Sequence, residues 1–182
     1  MGKIPGSGAR VFSLALAAVI LGSNATILAD TALDAVNPTV VTVFAAQPDV
    51  ARNVTVKGND GNVTGNVTIT GRNIAGEVIT ETIALNAANV VVGNKAFASI
   101  TSISLPKYAV ANTERIRIGV GSKLGLPQRL SRNSVLHAFL AGVREGTAPT
   151  VAFSAAALES NTVTLNSALN GTAVTVDFYE TI

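Results

Sequence analysis

Ser104-Leu-Pro-Lys107 carries a hydroxyl and an amine at the S-x-x-K spacing of serine acyltransferases, where one helical turn lets the lysine deprotonate the serine. Pro106 breaks that turn beside a strand end and no Lys-Thr-Gly follows, so the match reads as coincidence. Gly119-Val-Gly-Ser-Lys123 invites a phosphate-loop reading. A Walker loop needs four residues between its first glycine and Gly-Lys-[Ser/Thr], so that successive amides curl round the phosphates. Neither the spacing nor the order is present, and a turn is expected. Glu77 and Glu81 could be an acid–base pair, but on an extended strand they stand about 13 Å apart, too far for either glycosidase geometry. They read instead as solvated charges that discourage edge pairing. His137 lies in an apolar run with no partner set by spacing and reads as a core or interface histidine. Asp60 with Asn59 and Asn62 lacks the dense ligand pattern and closing Glu of a calcium loop, which leaves a turn. These readings leave no catalytic, cofactor-binding or metal-ligating residue to nominate.

Residue types narrow the chemistry further. The 182 residues include no Cys, no Trp and one His. Thiolate metal sites, iron–sulfur clusters, cysteine nucleophiles and single-chain His₂ or His₃ centres therefore lack their ligands. A net charge of +2 is too small to imply nucleic acid as a partner. Only 13% of residues are charged against 48% hydrophobic, and the excess is small or β-branched: 28 Ala, 23 Val and 19 Thr. A chain of this length can bury roughly 70% of its unfolded surface, so it needs no disulfide or metal staple.

From Pro38 onward the pattern is strand and turn. Residues 39–44 are β-branched and short, 53–57 and 66–70 alternate, and 77–85 places Ile79, Ile83 and Leu85 on one side. Asp60-Gly61 supplies the positive φ of a tight hairpin, and the short links predict an antiparallel meander. Further strands are expected at 96–105, 114–120, 150–154, 161–166 and 173–180. Gly119, Gly121 and Gly125 with Pro127 mark a loop, and Asn170-Gly171 a hairpin turn. Residues 134–143 fit a helical stripe as well as a buried strand, and the β-branched flanks favour strand. Five N-x-[ST] sequons fall at Asn24, Asn53, Asn62, Asn66 and Asn170 and read as polar strand faces rather than glycan sites. The expected fold is mainly β, an antiparallel sandwich or barrel-like domain with an apolar N-terminal arm. Its divisions are an arm at 1–37, a β domain at 38–130 and a C-terminal β extension at 131–182 within the same compact unit.

The first 25 residues have the makings of an export signal: Lys3 and Arg10, an apolar run from Val11 to Leu21, then Ser23-Asn-Ala25. As a helix that run would be about 16 Å long, short of the ~30 Å hydrocarbon core, so no membrane span is expected. The other reading is an apolar arm that docks on a neighbouring subunit through Val11, Phe12, Leu14 and Leu16.

Charge is unevenly placed. Residues 107–132 hold Lys107, Arg115, Arg117, Lys123, Arg129 and Arg132 against Glu114 alone, whereas 145–182 hold Glu145, Glu159, Asp177 and Glu180 with no Lys or Arg. Complementary patches of this kind guide subunit register. This makes Arg115, Arg117, Lys123, Arg129 and Arg132 candidate subunit or partner contacts beside the arm residues.

Gln47-Pro-Asp-Val-Ala-Arg-Asn-Val-Thr55, Gly76-Glu-Val-Ile-Thr-Glu-Thr-Ile-Ala-Leu85 and Gly93-Asn-Lys-Ala-Phe97 form one group of blocks. Lys123-Leu-Gly-Leu-Pro127, Glu145-Gly-Thr-Ala-Pro-Thr-Val151 and Asn166-Ser-Ala-Leu-Asn-Gly171 form another. In this order, across 38–182, the chain resembles a family of small β-rich virion structural proteins of tailed bacteriophages. The resemblance implies a non-enzymatic head decoration or cement protein. Such a protein binds the outer capsid surface, has the major capsid protein as partner, often assembles as a trimer, and stabilises the shell. It implies no cofactor, nucleic acid or membrane, and a place on the virion exterior after assembly in the host cytoplasm. Two other readings stand beside it: an exported β-sandwich surface or adhesion module whose signal is cleaved after Ala25, and a low-copy tail or neck component.

Overall fold

A computed structural model describes residues 10–110 and 112–180, apart from the side chain of Glu180. Just over half of the described chain is strand, and almost none of it is helix. The first seven are β1 (Arg10–Val19), β2 (Ser23–Ala32), β3 (Thr39–Val41), β4 (Arg52–Gly58), β5 (Asn66–Arg72), β6 (Val78–Ala84) and β7 (Val90–Phe97). The remainder are β8 (Ser99–Leu105), β9 (Arg115–Gly125), β10 (Val135–Leu140), β11 (Val143–Arg144), β12 (Thr150–Ala152), β13 (Thr162–Thr164) and β14 (Thr172–Glu180). A single 3-10 turn, Leu158–Ser160, precedes β13. The fold is therefore mainly β and antiparallel, with a curled, half-barrel sheet, in line with the sequence pattern.

Three sheets build it. One runs β1-β14-β10-β11, one β12-β13-β9-β4-β7 with β2 also on β9, and one β3-β8-β5-β6. Alternation dictates which faces meet. On β5, Val67 and Ile69 are buried, while Thr68 and Thr70 face out and meet Thr82 and Thr80 across the ladder at 3.2 and 3.3 Å. Cross-strand threonine pairs of this sort stabilise a sheet by a few tenths of a kcal/mol each, about 0.2–1. The apolar faces of the second and third sheets enclose a first core containing Val54, Val56, Ile69, Phe97, Ile103 and Ile118. A second core, containing Leu124, Leu126, Val163, Val174, Val176 and Phe178, lies under the first sheet. β9 spans both, with Ile116 and Ile118 in one and Leu124 in the other.

Several expectations are corrected. The 38–85 stretch is not a meander, because β4 is paired on both edges, by β7 and β9, and has no edge to offer β5. Gly61 accordingly has no positive φ, and the link is a crossover between sheets in which the Asp60 carboxylate accepts the Asn62 N–H at 2.7 Å. The strand expected at 96–105 is two strands, parted at Ala98, whose N–H turns to the Arg72 carbonyl at 2.8 Å. Gly171 has the expected turn conformation, φ 85°, but joins strands of different sheets.

Gly119, Gly121 and Gly125 do not form a loop; they lie inside β9. A Cβ at Gly119 would overlap the Ser23 carbonyl oxygen, and one at Gly121 would strike the Asn53 carboxamide. Here glycine marks close approach of backbones rather than a break. Residues 134–143 form strand, closed by Ala141-Gly142 with φ of 52° and 77°, the two positive values of a type I′ hairpin.

The segment expected as a docking arm is placed within the chain's own sheets over its described part. β1 pairs with β14 from Arg10↔Glu180 to Val19↔Thr172, and β2 pairs with β9. Phe12 stacks on Phe178 with ring centroids 6.0 Å apart. The physical reason is local: Phe12, Leu14 and Leu16 alternate with Val11, Ser13 and Ala15, which makes a one-sided strand for the second core. Lys3 and the rest of 1–9 lie outside the described residues.

Candidate interaction surfaces

The residues with chemical potential are dispersed. Ser104 sits on β8, an extended strand, so Lys107 is not on its turn of helix. Gly119–Lys123 is strand, without a loop of amides. Glu77 accepts from Asn73 Nδ2 at 2.7 Å and Arg129 Nη2 at 2.9 Å, while Glu81 accepts the N–H groups of Asn94 and Lys95 at 2.6 and 3.3 Å. The two carboxylates thus serve different elements. Among the described residues no group of His, Asp and Glu is arranged to hold a metal ion.

Strand pairing gives His137 a neighbour that spacing alone did not reveal. It lies opposite Asp177 on β14, and Asp177 accepts a hydrogen bond from the Ser13 hydroxyl on β1. The row Ser13–Asp177–His137 crosses the solvent face of the first sheet in the wrong order for acyl transfer. A nucleophilic serine must touch the imidazole, with the carboxylate behind it, whereas here the carboxylate stands between them. His137 packs edge-on against Phe139 at 6.4 Å and is half-buried on this face rather than placed in the core.

The basic residues of 107–132 do not stand as a row of unpaired cations. Arg117 makes two bonds to Asp30, at 2.6 and 2.9 Å, and these hold the Asp30 carboxyl below the ordinary carboxylate range. Arg115 alternates with the buried Ile116 and adds a weaker pull on Asp30. Lys123 Nζ donates to the Gly93 carbonyl at 3.1 Å and to Asn94 at 2.6 Å. Arg129 meets Glu77, whose pKa is lowered first by the Asn73 bond and then by Arg129. Arg132 lies over the Tyr179 ring, 5.6 Å from its centroid. On the acidic side, burial pushes the Glu159 carboxyl up. Its own backbone N–H and Lys95 Nζ, at 3.1 Å, outweigh that and leave it lowered. Two of the six cations, Arg117 and Arg129, are thus engaged in ion pairs within the chain, and the exposure of those pairs makes them weak.

Buried polar residues that no motif flagged prove to be structural hubs. The Asn161 side chain accepts from Leu130 and Ser154 N–H and donates to the carbonyls of Ser154, Ala157 and Leu158. Asn53, one of the five sequons, is fully buried, and its carboxamide joins Gly93 to Lys123, so no glycan could reach it. The buried Glu114 takes the N–H groups of Ala109 and Val110 at 2.9 and 2.7 Å. A composition rich in Asn hides these roles, because only the burial of each separates a hub from a surface amide.

Two clefts are small. One, of about 290 Å³, is lined by Leu21, Gly22, Ser122, Leu165, Asn166 and Leu169, and one of about 100 Å³ lies beside His137 and Arg144. The first sits at the lower end of the usual ligand range of roughly 300–1,000 Å³, and the second falls well below it. What the surface offers instead is strand edges and apolar side chains: Val36, Val40 and Val43, in and around β3, are 74%, 63% and 82% exposed. No helix among the described residues is long and apolar enough to cross a membrane. Comparison with family models, with curated proteins and with solved structures finds no match for this chain.

Proposed function

We propose that this chain is a non-enzymatic structural protein of a bacteriophage virion, a head decoration protein that binds the outer surface of the capsid and stabilises it. The observation that carries this reading is the ordered set of blocks from Gln47 to Gly171, which resembles that family across residues 38–182. The exposed apolar side chains around β3 support it, since a cement protein gains free energy by burying such surface against a neighbour. Dispersed and internally satisfied polar groups fit a binding role better than a catalytic one.

The exported-module reading fares less well. Cleavage after Ala25 would remove β1 and the start of β2, taking Phe12, Leu14 and Leu16 off the second core and uncovering Val174, Val176 and Phe178. Losing that much apolar contact is expected to cost several kcal/mol, at roughly 25 cal/mol per Å².

The test is to purify particles from the native source and measure the copy number of this chain relative to the major capsid protein, together with its N-terminal mass. Copies comparable to the shell protein, with β1 intact, are expected. A handful per particle would transfer the chain to the tail or neck. Absence from particles, with a chain that begins at Thr26, would overturn the virion reading.

A further inference from the structure

We propose that the outer edge of β1 is a self-pairing site, at which β1 of one copy runs antiparallel to β1 of a second about a two-fold axis and joins two four-stranded sheets into one of eight. This stands on the fold alone and does not rest on the virion reading.

The edges of the molecule are not alike. β3, β11 and β12 are two or three residues long, too short to template a partner. β6 and β7, outermost in their sheets, are tied together by the Glu81 carboxylate on the Asn94 and Lys95 N–H groups. These are recognised ways of blunting an edge. β2, also ten residues long and paired only with β9, carries Asp30 and has its Ile27 carbonyl taken by the Ala45 N–H at 3.0 Å. β1 has no such cover, and its one irregularity is a register shift against β14 between Leu16 and Val19. It is ten residues long, carries no charge after Arg10, contains no proline, and among the described residues pairs only with β14.

The second core is also open along this edge. Val174, Val176 and Phe178 on β14 are completely or almost completely buried, while their cross-strand partners Leu16, Leu14 and Phe12 are only partly covered. A further strand on the far side of β1 would cover them.

The occupant that fits is a second copy. In an antiparallel pair, opposed residues share a face of the sheet. A two-fold at Leu14 sets Leu14 against Leu14 of the other copy, and Phe12 against Leu16, all on the core side. Arg10, the strand's single charge, falls opposite Ala18, so no like charges oppose each other. On the solvent face, Ser13 falls opposite Ala15, and the two copies of Ala15 become diagonal neighbours about 7–8 Å apart.

The size of the contact sets its strength. The nine residues paired about Leu14, from Arg10 to Ala18, make a strip about 30 Å long. A strip of that length and one strand deep buries on the order of 700–800 Å² in total, below the 1,200–2,000 Å² of stable complexes. The pairing is therefore weak, with dissociation expected in the micromolar range.

Sedimentation of the full-length chain from about 1 to 300 µM tests this, bracketing micromolar dissociation. A monomer–dimer equilibrium is expected. Ala15→Lys and Ala15→Glu, at an exposed position, are each expected to weaken the dimer about 10-fold or more, with thermal melting little changed. An equimolar mixture of the two variants restores it, because the ammonium introduced in one copy and the carboxylate introduced in the other then face each other diagonally across the two-fold. A chain monomeric throughout, a dimer or trimer indifferent to both variants, or a mixture no better than either variant alone would overturn the proposal. None of these outcomes bears on the copy number in particles, so the virion reading stands or falls separately.

Discussion

The buried guanidinium of Arg52 meets the Asp49 carboxylate at 2.8 Å, and between them they hold both backbone groups of Ile20. Asp49 Oδ2 accepts the Ile20 N–H at 2.9 Å, Arg52 Nη1 donates to its carbonyl at 3.0 Å, and Arg52 Nε donates to the Gly121 carbonyl at 2.7 Å. A charged pair thus fastens the β1–β2 turn to the middle of β9, where the two cores meet. The arginine is needed for its fork, since one lysine ammonium could not span three acceptors in these directions.

Replacing Arg52 by Met is expected to destabilise the fold by about 3–5 kcal/mol, because the substitution leaves the Asp49 carboxylate without its counter-charge and two carbonyls without their donor. Arg52→Lys is expected to recover only part of that. Urea unfolding of both variants reads the difference, and a loss below about 1 kcal/mol for Arg52→Met would mean that water replaces the guanidinium without penalty.

Gly119 is the tightest point of the β2–β9 pairing. Gly119→Ala is expected to cost about 3 kcal/mol, the upper end of overpacking penalties, since the obstacle is backbone rather than a side chain that can move. Gly61→Ala, where an added Cβ meets nothing within 4 Å, is expected to stay within about 0.5 kcal/mol. Equal melting temperatures for the two variants would show that β2 can shift away from β9.

Much of the fold was legible because β-branched alternation is a local signal. β5, β6 and β14 fall where Val, Ile and Thr alternate, and β10 falls where the flanking strands favoured it. Pairing was not legible. Asp60-Gly61 and Asn170-Gly171 look like hairpin turns from within their own few residues, yet whether the strands they join are neighbours depends on which edges distant strands have taken. Gly119 misled for a related reason: a glycine that ends a strand and one that admits a neighbouring backbone are the same residue until β2 is in place. The apolar character of Val11 to Leu16 was visible, but its destination on β14, some 160 residues away, was not. The row Ser13–Asp177–His137 likewise exists only through pairing.

Ala141 holds φ 52° at the first central position of the β10–β11 turn, a conformation that asparagine and glycine adopt with less strain. Ala141→Asn, which creates an Asn-Gly turn, is expected to stabilise the chain by about 0.5–1 kcal/mol. A higher melting midpoint with unchanged unfolding cooperativity is the signature. No gain would indicate that the two-residue β11 is frayed at the temperature of measurement.

Acid should weaken the fold by small steps from several surface carboxylates. Asp30, held by Arg117, Asp34, held by the N–H groups of Asn37 and Val36, and Glu77, held by Asn73 and Arg129, all have lowered pKa values in the folded chain. A carboxyl lowered on folding contributes stability that is complete above its unfolded pKa, about 3.9 for Asp and 4.3 for Glu, and is lost as pH falls through the folded value. Stability should therefore be flat near neutrality and decline below about pH 5, with each exposed group contributing little. Arg117→Met separates the causes: Asp30 should then titrate nearer its ordinary value, while Asp34, whose partners are backbone N–H groups, should not move. Carboxyl chemical shifts followed by NMR report both groups in one titration. An unchanged Asp30 midpoint in that variant would mean that the two bonds from Arg117 are not maintained in solution.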